Sequence, residues 1–455
     1  MEISRIIGAL AQGFLDGGCR LSANYPGFHS NELHDALGGG VTSVNERTAY
    51  ALAWGASLAG VRSVVSLKNV GLNDAADAFL NSLVTGVQAG LALVVFDDCD
   101  VQHSQNRLDS RHYFDFYGGL WLEPVNLQDA YALARSSFEL SERFETPVVL
   151  RVTNVLYNFY TPRRAGHYER LPALTPPVRS PPHTPERFVV HPSHAMIQEA
   201  RRQARQAQID EYVETLHNDP PPVGDELTVV CGAGRSLFLD RKRFVRLRSL
   251  PLPRNYLRRL LADGRPVRVY EHGDPYVAGQ LAALASGDRV RSVSMNNNDR
   301  LRHKYHCRSD WETLFGVLRD WPGRFVCGDL GGFTMDPHKT LDACLCYGAS
   351  VAVGMGAAAA GAEQVFVVTG DAAFLHSGQA ALAEAVARNV KLTVIVFDNG
   401  GARGTGGQAI PGCPGELPSG ANSRFVDYAQ LDAGAWRSLL GDCRGVTAIR
   451  TRTDF

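Results

Sequence analysis

Two apolar runs, Val365-Phe366-Val367-Val368-Thr369 and Leu392-Thr393-Val394-Ile395-Val396-Phe397, flank a stretch of helical periodicity from His376 to Asn389. Ala380, Ala381, Leu382, Ala385 and Val386 are the apolar positions of that stretch. Short β-branched runs on either side of a helix predict two buried strands. A right-handed crossover makes such strands parallel. Gly370-Asp371 follows the first run and Asn399 the second, so both fall at carboxyl ends, where open α/β sheets take ligands. An Asp carboxylate, an Asn amide oxygen and a nearby backbone carbonyl are hard donors suited to Mg²⁺, with diphosphate oxygens and water completing the octahedron. A turn and a strand cap account for the same residues. Gly224-Asp225 with Asn255 has nearly the same spacing, but Asn255 follows Pro251-Leu252-Pro253-Arg254 and ends no strand.

The bulk properties narrow the field. A chain of 455 residues implies about three domains. A net charge of −1 offers no global field for nucleic acid or an anionic membrane. The Arg241 to Arg248 cluster reads as a solvated face. Nine cysteines are scattered with no Cys-x-x-Cys, which predicts reduced thiols and a cytoplasmic protein. Met1 to Arg5 lacks the start of a signal peptide, and no apolar stretch is long enough for a membrane span.

Residues 1–160 alternate strand-like (61–67, 91–96, 147–152) and helix-like (45–58, 127–144) segments. That alternation predicts a parallel sheet covered on both faces. Residues 161–222 form a Pro- and Arg-rich linker and a polar helix over 194–216. A smaller α/β domain follows at 223–309, with strands at 227–231 and 266–270. The last α/β domain spans 310–455. Gly354-Met355-Gly356 with Gly361 is no dinucleotide fingerprint; its small residues predict close helix packing. Gly232-Ala233-Gly234 is too short to signal a nucleotide. Tyr113, Phe114, Phe116, Tyr117 and Trp121 are expected in a core or interface. His103 with Ser104 lines either a substrate pocket or an exposed loop.

Glu46, in Ser43-Val44-Asn45-Glu46-Arg47, opens a small-residue helix containing Ala51, Ala53, Gly55, Ala56 and Gly60. A carboxylate there supports a helix N-terminus. The Gly-Asp and Asn pair, 28 residues apart from Asp371 to Asn399, also resembles the diphosphate–metal motif of thiamine-diphosphate enzymes. More of the chain resembles the large subunit of indolepyruvate:ferredoxin oxidoreductase. The matching segments are Tyr25-Pro26-Gly27, Ser43 to Glu46, Gly55 to Gly60, Lys68 to Asn73, Ser104-Gln105-Asn106 with Asp109-Ser110-Arg111, Gly328 to Gly331, Cys346 to Ser350, Phe374 to Gly378, Asp398-Asn399 and Thr405 to Gln408.

This resemblance implies a thiamine-diphosphate-binding α/β fold. Two parallel-sheet domains, pyrimidine-binding and diphosphate-binding, flank the smaller middle domain. It implies thiamine diphosphate and Mg²⁺ as cofactors, with Asp371, Asn399 and the Gly401 carbonyl on the metal. Pro26, Gly27, Asp329, Gly348, Gly370 and Ser377 join them around the cofactor. Glu46 activates the cofactor in an apolar pocket that raises its pKa. His376 contacts diphosphate or an intermediate, or serves as a cap.

Two departures shape the expected function. Only Cys413 and Cys443 follow Gln408, too few for the four-iron cluster of the family's ferredoxin-like domain. Asn69 stands where the family has His, and His29 where it has a small or polar residue. We therefore expect non-oxidative decarboxylation of a 2-oxo acid such as indolepyruvate, with acyloin-type transfer to an acceptor carbonyl or acyl thioester. The alternatives are a simple decarboxylase, and an oxidoreductase subunit whose clusters sit on a partner chain. A binding subunit that has lost catalysis is a further possibility that intact Glu46, Asp371 and Asn399 oppose. The expected partners are small molecules, a second copy in a homodimer and possibly a second subunit.

Overall fold

The structure is a computed structural model and describes residues 5–102, 104, 106–159, 166–177, 184–217, 220, 222–232, 244–285, 289–294, 311–412 and 417–453. His103, Gln105, Ala233, Gly234, Cys413 and residues 241–243 of the arginine cluster lie outside them. The chain divides into two compact units, residues 1–301 and 302–455.

Nine strands of the first unit come before its second sheet is complete. They are β1 (Leu21–Asn24), β2 (Val41–Thr42), β3 (Ser63–Lys68), β4 (Leu91–Asp97), β5 (Leu120–Leu122), β6 (Val148–Thr153), β7 (Leu227–Cys231), β8 (Val245–Leu247) and β9 (Ser249–Leu250). The main sheet has the order β2-β1-β3-β4-β6-β5-β9, parallel except for β9. Its central strands are apolar on both faces, as parallel strands under two helix layers must be. In β4, Leu91, Leu93 and Val95 enter one core while Ala92, Val94 and Phe96 enter the other. Helices Arg5–Asp16 and Leu127–Phe144 cover the second of these faces.

A smaller parallel sheet of order β11-β10-β7-β8 adds β10 (Val267–Glu271) and β11 (Val290–Ser294). Its core side chains Val229, Val269 and Leu281 continue the cluster that holds Val65 and Leu93. A buried ionic group ties the two sheets. Arg111 pairs with Asp109 at 2.5 Å and with Glu271 at 2.7 Å. Arg151 pairs with Asp97 at 2.5 Å and Glu123 at 2.9 Å, and donates to the His272 carbonyl at 3.2 Å.

In the second unit β12 (Arg324–Gly328), β13 (Gln364–Gly370), β14 (Leu392–Asp398), β15 (Asn422–Asp427) and β16 (Val446–Arg452) form one parallel sheet, ordered β12-β13-β14-β16-β15. Phe366, Val368 and Ile395 face a core with Leu314 and Trp436; Val365, Val367 and Val394 face one with Val351 and Leu382. Helix Ser350–Ala359 lies close because Gly354 lacks a side chain: a Cβ there would stand 2.6 Å from Val367 Cγ2. The small residues therefore permit close packing, as expected.

Some expectations need correction. The helix after β13 starts at Asp371, not His376, and ends at Ala387. A π-helical turn over Phe374–Gly378 breaks the 3.6-residue period and hides this first part from pattern reading. Arg246 and Arg248 are half-buried rather than a solvated face, and Arg248 pairs with Asp129 at 3.1 Å. Ser104 is buried, its Oγ donating to Asp98 Oδ2 at 2.8 Å, so it is no exposed loop residue. Trp121 joins the core with Tyr113 and Phe114 packed against it, as expected, and Phe116 and Tyr117 are exposed. Asn255 lies in helix Arg254–Leu261. Among the described residues no helix is long and apolar enough to cross a membrane.

Candidate functional site

In the second unit the carboxyl ends of β12, β13 and β14 are neighbours, so Asp329, Asp371 and Asn399 come to one edge of the sheet. Gly370 opens the turn after β13, with nothing within 4 Å of where a Cβ would be. Asp371 is buried; its Oδ1 accepts from Ala372 N at 2.7 Å and its Oδ2 from Gly401 N at 2.9 Å. Burial pushes its pKa up, while those two N–H groups pull it down. Gly401 holds a φ of 147°, and a Cβ there would stand 2.3 Å from the Gln408 carbonyl oxygen. Only glycine can carry the Gly401 carbonyl back toward Asp371 in this turn.

One end of the Asn399 amide stands 2.9 Å from the Gly401 carbonyl oxygen and 3.2 Å from Asp371 Oδ1. With nitrogen at that end the amide donates two hydrogen bonds. With oxygen there, three oxygens converge with no proton between them, an arrangement that a bound cation would stabilise. Adjacent oxygens of a Mg²⁺ octahedron stand about 2.9 Å apart, given its bond lengths. The donor set and its spacing fit that ion. Arg403 donates from Nε and Nη2 to the Asn399 carbonyl at 3.0 and 2.9 Å, fixing the loop from outside.

Asp329 is fully enclosed. It accepts from Ser350 N at 3.2 Å, Ser350 Oγ at 2.6 Å and Thr369 Oγ1 at 2.5 Å. Burial raises its pKa against these hydrogen bonds. Asp329 thus ties β12 to β13 and to the start of helix Ser350–Ala359. Gly348, at φ +76°, leaves room for His376: a Cβ would meet its Nδ1 at 2.9 Å and Ser377 Cβ at 3.0 Å. His376 Nδ1 and Ser377 Oγ share a hydrogen bond of 2.6 Å, and the Tyr347 ring stands edge-on to the imidazole at 5.4 Å. His376 sits in the π-helical turn, a distortion frequent at functional sites.

The remaining candidates lie at the corresponding edge of the first unit. Pro26 and Gly27 follow β1, and Gly27 N donates to Asn31 Oδ1 at 3.1 Å. Glu46 follows β2 and opens helix Glu46–Leu58, N-capped by Asn45, which accepts from Thr48 N at 2.8 Å. The Glu46 side chain lies over Gly71 in the first turn of helix Asn69–Thr85. A Cβ on Gly71 would stand 2.5 Å from Glu46 Oε1 and 2.8 Å from its Cγ. Asn69 is buried, accepting from Val70 N and donating to the Leu108 carbonyl. These bonds brace the loop after β3. His29 is also buried, its ring 3.4 Å from that of Tyr157. Gly71, Tyr347 and Arg403 were not singled out from sequence. Gly71 and Tyr347 lie inside the matching segments Lys68 to Asn73 and Cys346 to Ser350, and Arg403 two residues after Gly401, which are the signals they offer.

Residues 329–436 match the model of the thiamine pyrophosphate enzyme C-terminal TPP-binding domain. Indolepyruvate oxidoreductase subunit IorA of Methanothermobacter thermautotrophicus is 26% identical, the match covering 89% of this chain and 76% of that protein. IorA of Pyrococcus abyssi is 25% identical, covering 92% and 77%. Among solved structures, 2-oxoglutarate:ferredoxin oxidoreductase from Magnetococcus marinus matches at a TM-score of 0.48 with 16% identity, covering 64% of this chain and 62% of that one. The chain therefore carries the TPP-binding domain of thiamine-diphosphate-dependent enzymes and resembles, along some nine-tenths of its length, the IorA subunit of indolepyruvate oxidoreductase.

Proposed function

We propose that this chain is the thiamine-diphosphate- and Mg²⁺-binding subunit of an oxidoreductase acting on an aryl 2-oxo acid such as indolepyruvate. The convergence of Asp371, Asn399 and the Gly401 carbonyl at the end of two parallel strands carries this conclusion. The likeness to IorA supports oxidation over the acyloin-type carboligation or simple decarboxylation expected from the sequence. In this reading the electron-accepting clusters sit on a partner chain.

In this scheme residues 1–160 bind the pyrimidine and 310–455 the diphosphate, with the linker and helix at 161–222 and the middle domain at 223–309. Asp371, Asn399 and Gly401 hold the metal. Gly370, Asp329, Gly348 and Ser377 shape the diphosphate cradle, and Pro26 and Gly27 receive the ring end. When bound, thiamine diphosphate supplies the carbon nucleophile for the keto group and the sink for the electrons left by CO₂. Glu46 holds a proton at the pyrimidine nitrogen. His376, oriented by Ser377, donates to diphosphate or to the reacting oxygen. The assembly is a homodimer joined to the cluster-bearing chain.

The test begins with melting temperature. Thiamine diphosphate with Mg²⁺ at a hundred times its Kd adds about 2.7 kcal/mol of stability. Asp371→Ala abolishes that shift. Anaerobic turnover of indolepyruvate with coenzyme A then yields CO₂ and acyl-CoA only when an electron acceptor and the cluster-bearing partner are present. Aldehyde or acyloin formed without an acceptor would restore the non-oxidative scheme. The absence of any thermal shift would point to a non-catalytic subunit.

A further inference from the structure

Two of the three converging oxygens, those of Asn399 and Gly401, ride on the turn that follows β14. Asp398, the last residue of β14, is held from the β16 side. Its carboxylate accepts from Arg450 Nε at 2.8 Å, and its carbonyl from Thr453 N at 3.0 Å. Beyond Asn399 the chain passes through Gly400 and Gly401, at φ of 80° and 147°. Two successive glycines give the backbone the most freedom to lose on ordering. Gly401 N reaches Asp371 Oδ2 at 2.9 Å, but that bond is made by the metal-site carboxylate itself. Independent support for this side of Asn399 has to come from elsewhere in the turn.

Arg403 supplies it. Its Nε and Nη2 both donate to the Asn399 carbonyl, at 3.0 and 2.9 Å, and among the described residues no other group donates to that oxygen. Its backbone N donates to the Gly401 carbonyl at 2.9 Å, leaving that oxygen a second lone pair for a cation. One residue therefore bonds the main chain of one member of the site and the carbonyl that another presents. The side chain crosses the turn above Gly407, where a Cβ would stand 3.9 Å from Arg403 Cδ. The turn closes behind it, with Ala402 N on the Gln408 carbonyl at 2.9 Å and Gly407 N on the Ala402 carbonyl at 3.0 Å.

We propose that Arg403 is the positioning residue that makes this site selective for Mg²⁺ over a larger divalent ion such as Ca²⁺; this rests on the function proposed above. Mg²⁺ requires a near-ideal octahedron at about 2.0–2.1 Å, whereas Ca²⁺ accepts longer and less regular contacts. A turn held on both sides of Asn399 meets the stricter demand, and one held on a single side meets only the looser. Arginine suits the clamp because its planar fork brings two N–H groups onto one oxygen in fixed geometry, which a rotating ammonium does not. Charge works in the other direction. Arg403 is exposed, and a guanidinium beside a cation site repels the metal, though water and salt screen it. Removing the charge alone would tighten the metal; removing the clamp loosens it.

The experiment reads metal affinity and not turnover. The full chain, in excess thiamine diphosphate, is titrated calorimetrically with MgCl₂ or CaCl₂. Arg403→Met and Arg403→Lys should each weaken Mg²⁺ about tenfold or more, the usual cost of losing a group that orients a metal ligand. Ca²⁺ should weaken by less than about threefold in both. Melting of the metal-free variants checks folding, and Arg403→Lys, which keeps the charge, remains readable if Arg403→Met fails to fold. Mg²⁺ affinity unchanged in Arg403→Lys, or raised in Arg403→Met, would reduce the residue to a charge and overturn the assignment. Equal losses for the two ions would overturn the selectivity. If the unsubstituted chain binds neither metal in the presence of thiamine diphosphate, the cofactor scheme itself fails. If it binds them and both variants match it, the role of Arg403 alone fails.

Discussion

Gly71→Ala is the sharpest perturbation the structure offers, because it adds one methyl group directly beneath Glu46. The new Cβ would stand 2.5 Å from Oε1, 2.8 Å from Cγ and 3.0 Å from Cδ, where ordinary contact begins at 3.4 Å. The carboxyl end must therefore retreat by about 0.9 Å, and the displaced group is a side chain rather than backbone. A misplacement of about 1 Å at a reacting group costs on the order of 100-fold in rate. Stability should move the other way, since alanine is preferred to glycine inside a helix by about 0.5–1 kcal/mol. The assay pairs kcat for arylpyruvate oxidation with thermal unfolding and the thermal shift on adding thiamine diphosphate and Mg²⁺. We expect kcat to fall about 100-fold, with folding and the cofactor shift retained. Activity within threefold of the unsubstituted chain would refute the positioning of Glu46 by Gly71. A large loss of stability would show that the helix, not the carboxylate, absorbs the clash.

Arg151→Met leaves Asp97 and Glu123 buried without their cation and should cost about 3–5 kcal/mol in urea unfolding. Gly354→Val drives a side chain into Val367, 2.6 Å from the Cβ position, and should destabilise by about 1–3 kcal/mol, read by calorimetry. The Lys68 pKa lies below its unfolded value of 10.5, so folding disfavours the ammonium. Stability therefore carries the full penalty below a pH of about 8 and recovers as pH rises toward 10.5, a slope that Lys68→Met should flatten in pH-dependent melts.

The second-unit site was the more legible half. Parallel β-branched strands announce themselves by their runs, and polar residues at their ends fall at the ligand edge whatever the helix between them does. The start of that helix was missed because the π-helical turn shifts the period at His376. In the first unit Glu46 was singled out from the sequence, but its contact with Gly71 joins residues 25 apart and leaves no local pattern. Asn69 and His29 drew notice as departures from a family pattern, and the structure adds that both are buried among local partners. Sequence marks that a position differs; it does not say whether the side chain faces a ligand. Arg246 and Arg248 misled in the same way, since a run of like charges reads as surface until tertiary partners such as Asp129 are known.

The ionic group around Arg111 and Arg151 also bears on how such a chain can change by gain or loss of parts. A gene deletion that removed the four-stranded sheet would strip Glu271 from Arg111 and the His272 carbonyl from both guanidinium groups. Arg111 would keep Asp109 but lose its second carboxylate, and Arg151 would keep Asp97 and Glu123 but lose a buried acceptor. The smaller sheet is consequently no detachable module. A shortened descendant would need a new residue at 111 in the same lineage, and a chimaera exchanging this sheet with a relative would have to match the 111 and 271 pair.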